Sequence, residues 1–228
     1  IGTNTDPYQP VEREWRVMRE ILQVLCECRH PVSIVTKSSL IERDLDLLAD
    51  MARERLVHVS ISMTTLNRGL ARKMEPRAAA PQRRLQTIRR LVEAGIPTGA
   101  LVAPVIPVLT DDEIEQLIEE CAGAGVGSIG YVLLRLPLEV ETLFDEWLQT
   151  HYPLKHKHVL NRIRDTRGGR AYDSRFGARM TGQGDYAALL GKRFERACRR
   201  FGLDGVPAPL ETGLFHPPPL ASGQMSLF

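Results

Sequence analysis

Val57-His58-Val59-Ser60-Ile61-Ser62-Met63 and Ala100-Leu101-Val102-Ala103-Pro104-Val105-Ile106 are the two stretches on which the fold turns. Each is a short run rich in β-branched or apolar residues, the composition of a strand. Between them Leu85, Ile88, Leu91 and Val92 recur at the spacing of one helix face, and Gly95 with Pro97 stops that helix. A strand, a helix and a second strand in that order predict a crossover that sets the two strands parallel.

The alternation extends both ways. Pro31–Val35 is a β-branched run ending at Thr36-Lys37-Ser38-Ser39, and the helix after it carries Leu45, Leu48, Ala52 and Leu56. Further upstream Val11, Trp15, Met18, Leu22 and Leu25 predict one amphipathic helix with Pro10 in its first turn. Downstream, Thr110 and Glu113 form a capping-box pattern opening a helix with Ile114, Leu117, Ile118 and Cys121 inward. Ser128–Leu136 is the fourth apolar run, and Ile1-Gly2-Thr3-Asn4-Thr5 resembles the tail end of another strand. Runs that are apolar throughout predict a sheet covered on both faces or closed. The expected fold class is therefore α/β, a partial (β/α) barrel over residues 1–137 without its N-terminal strand or strands. A flavodoxin-like open sheet is the second architecture. A helical, basic C-terminal extension is expected over 138–205, and a flexible proline-rich tail over 206–228. The opening on Ile1, with no signal segment after it, predicts a fragment of a longer chain.

Composition narrows the class. The 228 residues are 43% hydrophobic and 25% charged, enough for one large core. With 30 basic and 28 acidic side chains, neither an acidic disordered chain nor a uniformly basic arm fits. No apolar run reaches the roughly 18 residues of a membrane span, so a cytoplasmic protein is expected. The charge is uneven: residues 151–205 hold 13 Lys and Arg against 5 Asp and Glu. That excess suits either a solvated helix surface or phosphate contact by Arg162, Arg164, Arg167, Arg170, Arg175 and Arg179, with Lys192, Arg193, Arg199 and Arg200. Cys26 and Cys28 stand too close for a metal knuckle, while Cys121 and Cys198 are isolated, so this chain is expected to hold no metal site.

In a parallel barrel, chemistry collects at the carboxyl ends of the strands. Those ends offer Thr3, Asn4, Thr5 and Asp6; Thr36, Lys37 and Ser38; Ser60 and Ser62; Pro107; and Arg135. Hydroxyls converging with one Lys and one Arg suit a small zwitterion carrying a carboxylate and a ribose. No Ser–His–Asp set, paired carboxylates, G-x-G-x-x-G or Walker loop lies there, which argues against hydrolases and the common nucleotide folds. Plainer roles stay open. Thr3, Thr5 and Asp6 suit a turn or helix cap, Lys37 suits solvent, and Ser60 and Ser62 suit backbone groups of their own strand. Arg77 could clamp a loop carboxylate, and Tyr131 suits the core better than a radical relay.

An ordered set of strings carries a resemblance. Gly2-Thr3-Asn4-Thr5-Asp6-Pro7-Tyr8-Gln9-Pro10 with Glu12 comes first, then Thr36-Lys37-Ser38, Arg43-Asp44, Ser60-Ile61-Ser62 and Glu75-Pro76-Arg77. Pro104-Val105-Ile106-Pro107, Leu134-Arg135-Leu136-Pro137, Gly168-Gly169, Tyr172-Asp173-Ser174 and Arg179-Met180-x-Gly182-x-Gly184 continue it to about residue 203. The set resembles the radical S-adenosylmethionine (SAM) proteins related to spore photoproduct lyase. The resemblance implies a partial (β/α)6 barrel with a [4Fe–4S] cluster and SAM, cleaved reductively to a 5′-deoxyadenosyl radical with electrons from an external donor. In that family the cluster cysteines form a C-x3-C-x2-C pattern, expected here upstream of Ile1, so this chain alone is expected to be inactive. Matched one by one, Thr3, Thr5 and Asp6 would meet the methionyl amino group. Lys37 would meet its carboxylate, Ser60 or Ser62 the carboxylate or ribose, and Arg135 the adenosyl side or the substrate. The relationship favours DNA or a nucleotide as substrate. The final Gln224-Met225-Ser226-Leu227-Phe228 is similar to peptides that dock in the bacterial sliding clamp, and a non-catalytic nucleic-acid or clamp-binding module is the alternative function.

Overall fold

The computed structural model describes residues 1–175 and 177–218. Four strands, β1 (Val32–Thr36), β2 (Val57–Met63), β3 (Thr98–Val105) and β4 (Ser128–Leu133), form one sheet in the order β1-β2-β3-β4. Every neighbouring pair is parallel. Strands in sequential order make a segment of a barrel, whereas a flavodoxin-like sheet permutes them. The partial barrel is thus the architecture found, open rather than closed. At its free edge Ile1 donates from its amino group to the Ser33 carbonyl (2.7 Å), and the Val35 N–H donates to the Ile1 carbonyl (3.0 Å). That is the ladder of a parallel pair.

The helices are α1 (Glu12–Trp15), α2 (Val17–Glu27), α3 (Leu45–Arg53), α4 (Arg68–Met74), α5 (Pro81–Glu93), α6 (Ile114–Gly123), α7 (Val140–His151), α8 (His156–Asp165), α9 (Ala178–Thr181) and α10 (Gly184–Arg200). α3, α5 and α6 lie against β2 and β3, and α10 lies beside α6. Val57, Val59, Ile61 and Met63 of β2 meet Ile88, Leu91, Leu117 and Ile118 in the main core, which α10 joins through Leu190, Phe194, Ala197 and Cys198. Tyr131 is half-buried and packs on Phe194 at the edge of this core, with ring centroids 4.7 Å apart. A smaller core under α7 and α8 holds Ile106, Leu109, Leu136, Phe144, Leu148, Val159 and Ile163.

Three expectations need correction. The sheet is not covered on both faces: its second face carries half-buried side chains such as Ser60, Leu101, Ala103 and Val132. Because Leu101, Ala103 and Val132 are apolar, the β3 and β4 runs show no period-two alternation. The first helix is broken, because Arg16 is left-handed (φ 53°) and ends α1. Glu12 then caps α2 by accepting from the Met18 N–H (3.1 Å), leaving Trp15 69% exposed. The capping box at Thr110 is absent. The Thr110 hydroxyl accepts from the Ile106 N–H (2.8 Å), while Glu113 reaches away to the Thr65 hydroxyl and the Leu66 N–H, both at 2.7 Å.

The stretch after residue 205 runs beneath the amino ends of the strands and is fastened there over its described part. The Glu211 N–H donates to the Arg55 carbonyl (2.9 Å), the two side chains pair at 3.0 Å, and the His216 N–H donates to the Cys28 carbonyl (3.0 Å). Phe215 meets the His30 ring edge-on at 5.2 Å. Among the described residues no helix is long and apolar enough to cross a membrane.

Candidate functional site

The carboxyl ends of the strands open into a cavity of about 620 Å³ lined by Gly2 to Asp6, Lys37, Ser62, Ala103, Arg135 and Met180, among others. Six expected residues, Thr3, Thr5, Asp6, Lys37, Ser62 and Arg135, come together in its wall. Ser60 does not: it shares the face of Ser62 but lies one pleat deeper, beside Gly99. Gly2 is required at the floor, since its φ is +92° and a Cβ there would lie 2.0 Å from the Val35 carbonyl oxygen. Thr3, Asn4 and Thr5 are exposed at the mouth.

Asp6 is already engaged. Its Oδ1 accepts from the Tyr8 N–H (2.9 Å) and the Thr36 hydroxyl (2.7 Å), and its Oδ2 accepts from the Lys37 N–H (2.8 Å). It therefore locks the first loop onto β1 and has little left for an ammonium. The loop is fixed again behind the cavity, where the Tyr8 hydroxyl donates to the fully buried Asp44 (3.1 Å). Asp44 is paired with Arg19 at 3.2 Å and with Arg43 at 3.0 Å.

Lys37 is paired with Glu75, and Glu75 is the hub of the site. Its second oxygen accepts from Arg84 (2.5 Å), and the Thr64 hydroxyl lies 2.8 Å from its first oxygen and 2.9 Å from the Ala103 carbonyl. Burial works to raise the Glu75 pKa, but Lys37 and Arg84 outweigh it and hold the carboxyl below its ordinary value. Arg84, 2% exposed, also donates to the Ser62 carbonyl (2.9 Å) and the Ala79 carbonyl (2.7 Å). The Ser62 hydroxyl donates to Ala103 (3.1 Å). The ends of β1, β2 and β3 are thus tied through one carboxylate. The clamp on it is made by Lys37 and Arg84, not by the exposed Arg77.

Glu75 and Arg84 lie outside the strand ends at which the sequence places the site. One signal was present: Arg84 precedes Ile88 by four and Leu91 by seven, which places it on the apolar face of α5. Nothing in the sequence gave the pairing of Glu75 with Lys37, 38 residues away.

On the far wall Arg135 approaches the Met180 sulfur (3.8 Å) and lies over the Tyr172 ring (5.9 Å). Its Nε is buried without a hydrogen-bond partner, as a group awaiting a ligand would be. Arg167 departs from its expected phosphate contact. It is 1% exposed and donates to the Leu133, Leu134, Ala178 and Arg179 carbonyls at 2.7 to 3.2 Å. It is the buckle that fastens the segment bearing Met180 to the end of β4. The other expected phosphate contacts scatter. Arg162 lies over Tyr186 (5.1 Å), Arg164 faces Glu141 (3.8 Å), Arg175 pairs with Asp173 (2.7 Å), Arg170 is exposed and Arg179 is half-buried. Gln224–Phe228 lies outside the described residues.

These residues fit SAM. The cavity is of ligand size, Lys37 offers a point charge for a carboxylate, the mouth offers Thr3, Asn4 and Thr5, and Arg135 offers an orphaned donor. They do not fit a [4Fe–4S] cluster. Cys26 and Cys28 lie at the end of α2, and burial pushes the thiol of Cys121 up to about 12 and that of Cys198 to about 11. Among the described residues no three His, Cys, Asp or Glu side chains could hold a metal ion.

Strand order, one-sided helices and a cavity at the carboxyl ends define an open (β/α) barrel domain. The radical SAM superfamily profile matches residues 2–121, and the chain belongs to that superfamily. A protein of Mycobacterium tuberculosis is 36% identical over 155 residues, covering 67% of this chain and 46% of that protein. One from Methanocaldococcus jannaschii is 28% identical over 162 residues, covering 71% and 59%. The chain thus spans about half the length of the curated relatives it matches. In fold it is similar to spore photoproduct lyase complexed with dinucleoside spore photoproduct (TM-score 0.61, 17% identity, 85% of this chain and 55% of that one). A variant of that lyase with bound AdoMet and dinucleoside spore photoproduct gives a TM-score of 0.63 at 17% identity, covering 88% and 57%.

Proposed function

We propose that this chain supplies the SAM-binding walls of a cytoplasmic radical SAM enzyme that acts on a nucleotide or nucleic-acid substrate with an external electron donor. The observation that carries the reading is the meeting of Thr3, Thr5, Lys37, Ser62 and Arg135 around one cavity of ligand size at the carboxyl ends of parallel strands. In this superfamily SAM supplies the adenosyl group from which a hydrogen-abstracting radical is made. The chain's own residues bind and orient. Lys37 takes the carboxylate as a point charge, and Thr3 and Thr5 accept from the amino group. Ser62 sits at the carboxylate or ribose side, and Arg135 faces the adenosyl side or the substrate. Asp6 serves by holding the Lys37 backbone rather than by touching the ligand. The nucleotide class rests on the fold likeness to a lyase whose structures hold a dinucleoside.

The test is calorimetric titration of the intact protein with SAM. Lys37→Ala is expected to weaken binding by about a hundredfold, the scale of a lost charge-assisted contact of about 2–3 kcal/mol, and Ser62→Ala by less. Unchanged affinity in both variants would overturn the assignment of the cavity.

A further inference from the structure

Lys37, the cation assigned above to the ligand carboxylate, already has an anionic partner inside the wall, Glu75. The pair is not symmetric. Glu75 keeps Arg84 at 2.5 Å and Thr64 at 2.8 Å whether or not Lys37 stays, and its side chain is only 11% exposed. Lys37 has no other described side-chain partner, is 31% exposed, and lines both the main cavity and the groove beside Glu75, Pro76 and Arg77. An ammonium on a flexible four-carbon stem can turn from one groove to the other. Glu75 would stay neutralised by Arg84 when it does, so no buried carboxylate is left uncompensated.

We propose that Glu75 is an internal competitor for the ligand's carboxylate: Lys37 exchanges between the two, and Glu75 thereby sets how tightly an amino-acid carboxylate is held in the cavity. Glu75 is on this account a positioning residue that acts through Lys37. The inference rests on the SAM reading above and adds a residue and a direction to it. A purely structural brace would behave in the opposite way, since its loss would loosen the ends of β1 and β2 and weaken every ligand.

The experiment compares two ligands on the intact protein by calorimetry, SAM with its carboxylate and 5′-methylthioadenosine without one. Glu75→Gln keeps the shape and removes the charge. It is expected to tighten SAM by about tenfold, the factor that 1.4 kcal/mol represents, and to leave 5′-methylthioadenosine unchanged. In a Lys37→Ala background the gain should vanish, because the competition has lost its object. Equal weakening of both ligands, or no change in either, would overturn the proposal while Lys37→Ala still weakens SAM and the cofactor reading stands. If wild-type SAM binding ignores Lys37→Ala, the cofactor reading fails and takes this inference with it. Should Glu75→Gln not fold, Glu75→Asp retains the charge for Arg84 but shortens the reach to Lys37. It should tighten SAM alone by a smaller factor, and a loss for both ligands would again sink the idea.

Discussion

The two ends of the sheet are held in different ways. At the carboxyl end, charged side chains do the holding: Asp6 on the β1 backbone, Glu75 between Lys37 and Arg84, Arg167 on four carbonyls. At the amino end the holding is mainly done by backbone, through the strap from residue 206 that bonds to Arg55 and Cys28. There a cavity of about 180 Å³ is lined on one side by Pro207, Ala208, Pro209 and Leu210, and His58 faces Ser128 at 3.3 Å beside Gly99. The difference shows where the sequence invests ionic groups. Desolvated charge is costly and is repaid only by preorganised partners, which Glu75 has in Lys37 and Arg84.

The strongest way to break this comparison is Arg167→Ala. It leaves the four carbonyls without their buried donor and is expected to cost about 3–5 kcal/mol, measured by urea unfolding. A loss under about 1 kcal/mol would mean that the buckle is not held by its guanidinium. Ending the chain after Gly205 should cost less, about 1–2 kcal/mol for two backbone hydrogen bonds and one exposed ion pair, with SAM affinity kept. If SAM binding fell as well, the two ends would be coupled and the contrast would dissolve. The smallest effect concerns pH. Burial lowers the His58 pKa below its ordinary value of 6.5, so the unfolded chain binds the proton more readily than the folded one. Stability should then be full above about pH 6.5 and decline as pH falls below it. His58→Gln should flatten that part of a pH–stability curve, and an unchanged slope would show that protonation there is free.

Much of the fold was legible because periodicity reports local packing. The strand–helix alternation gave the parallel sheet, and of the seven residues expected at the strand ends six line the cavity. Ser60 was misplaced through a depth error, since alternation fixes a face but not how far along the strand the cavity floor lies. Trp15 was misplaced because a single left-handed residue, Arg16, resets the helix phase, and no residue type there announces it. Arg167 sits in a basic stretch that suits phosphate contact, and its burial among four carbonyls depends on α9 folding back on β4.

The sequence by itself determined the class of fold and the residues that chemistry could use, because hydrophobic period and strand ends are properties of neighbouring residues. The tertiary structure alone decided which charges meet. Glu75 finds Lys37 and Arg84 only after β1 and β2 lie side by side, and the strap finds Arg55 and Cys28 only after the sheet has formed. Pairings across 38 or 156 residues carry no periodic trace, since they are fixed by where the packed backbone brings each group.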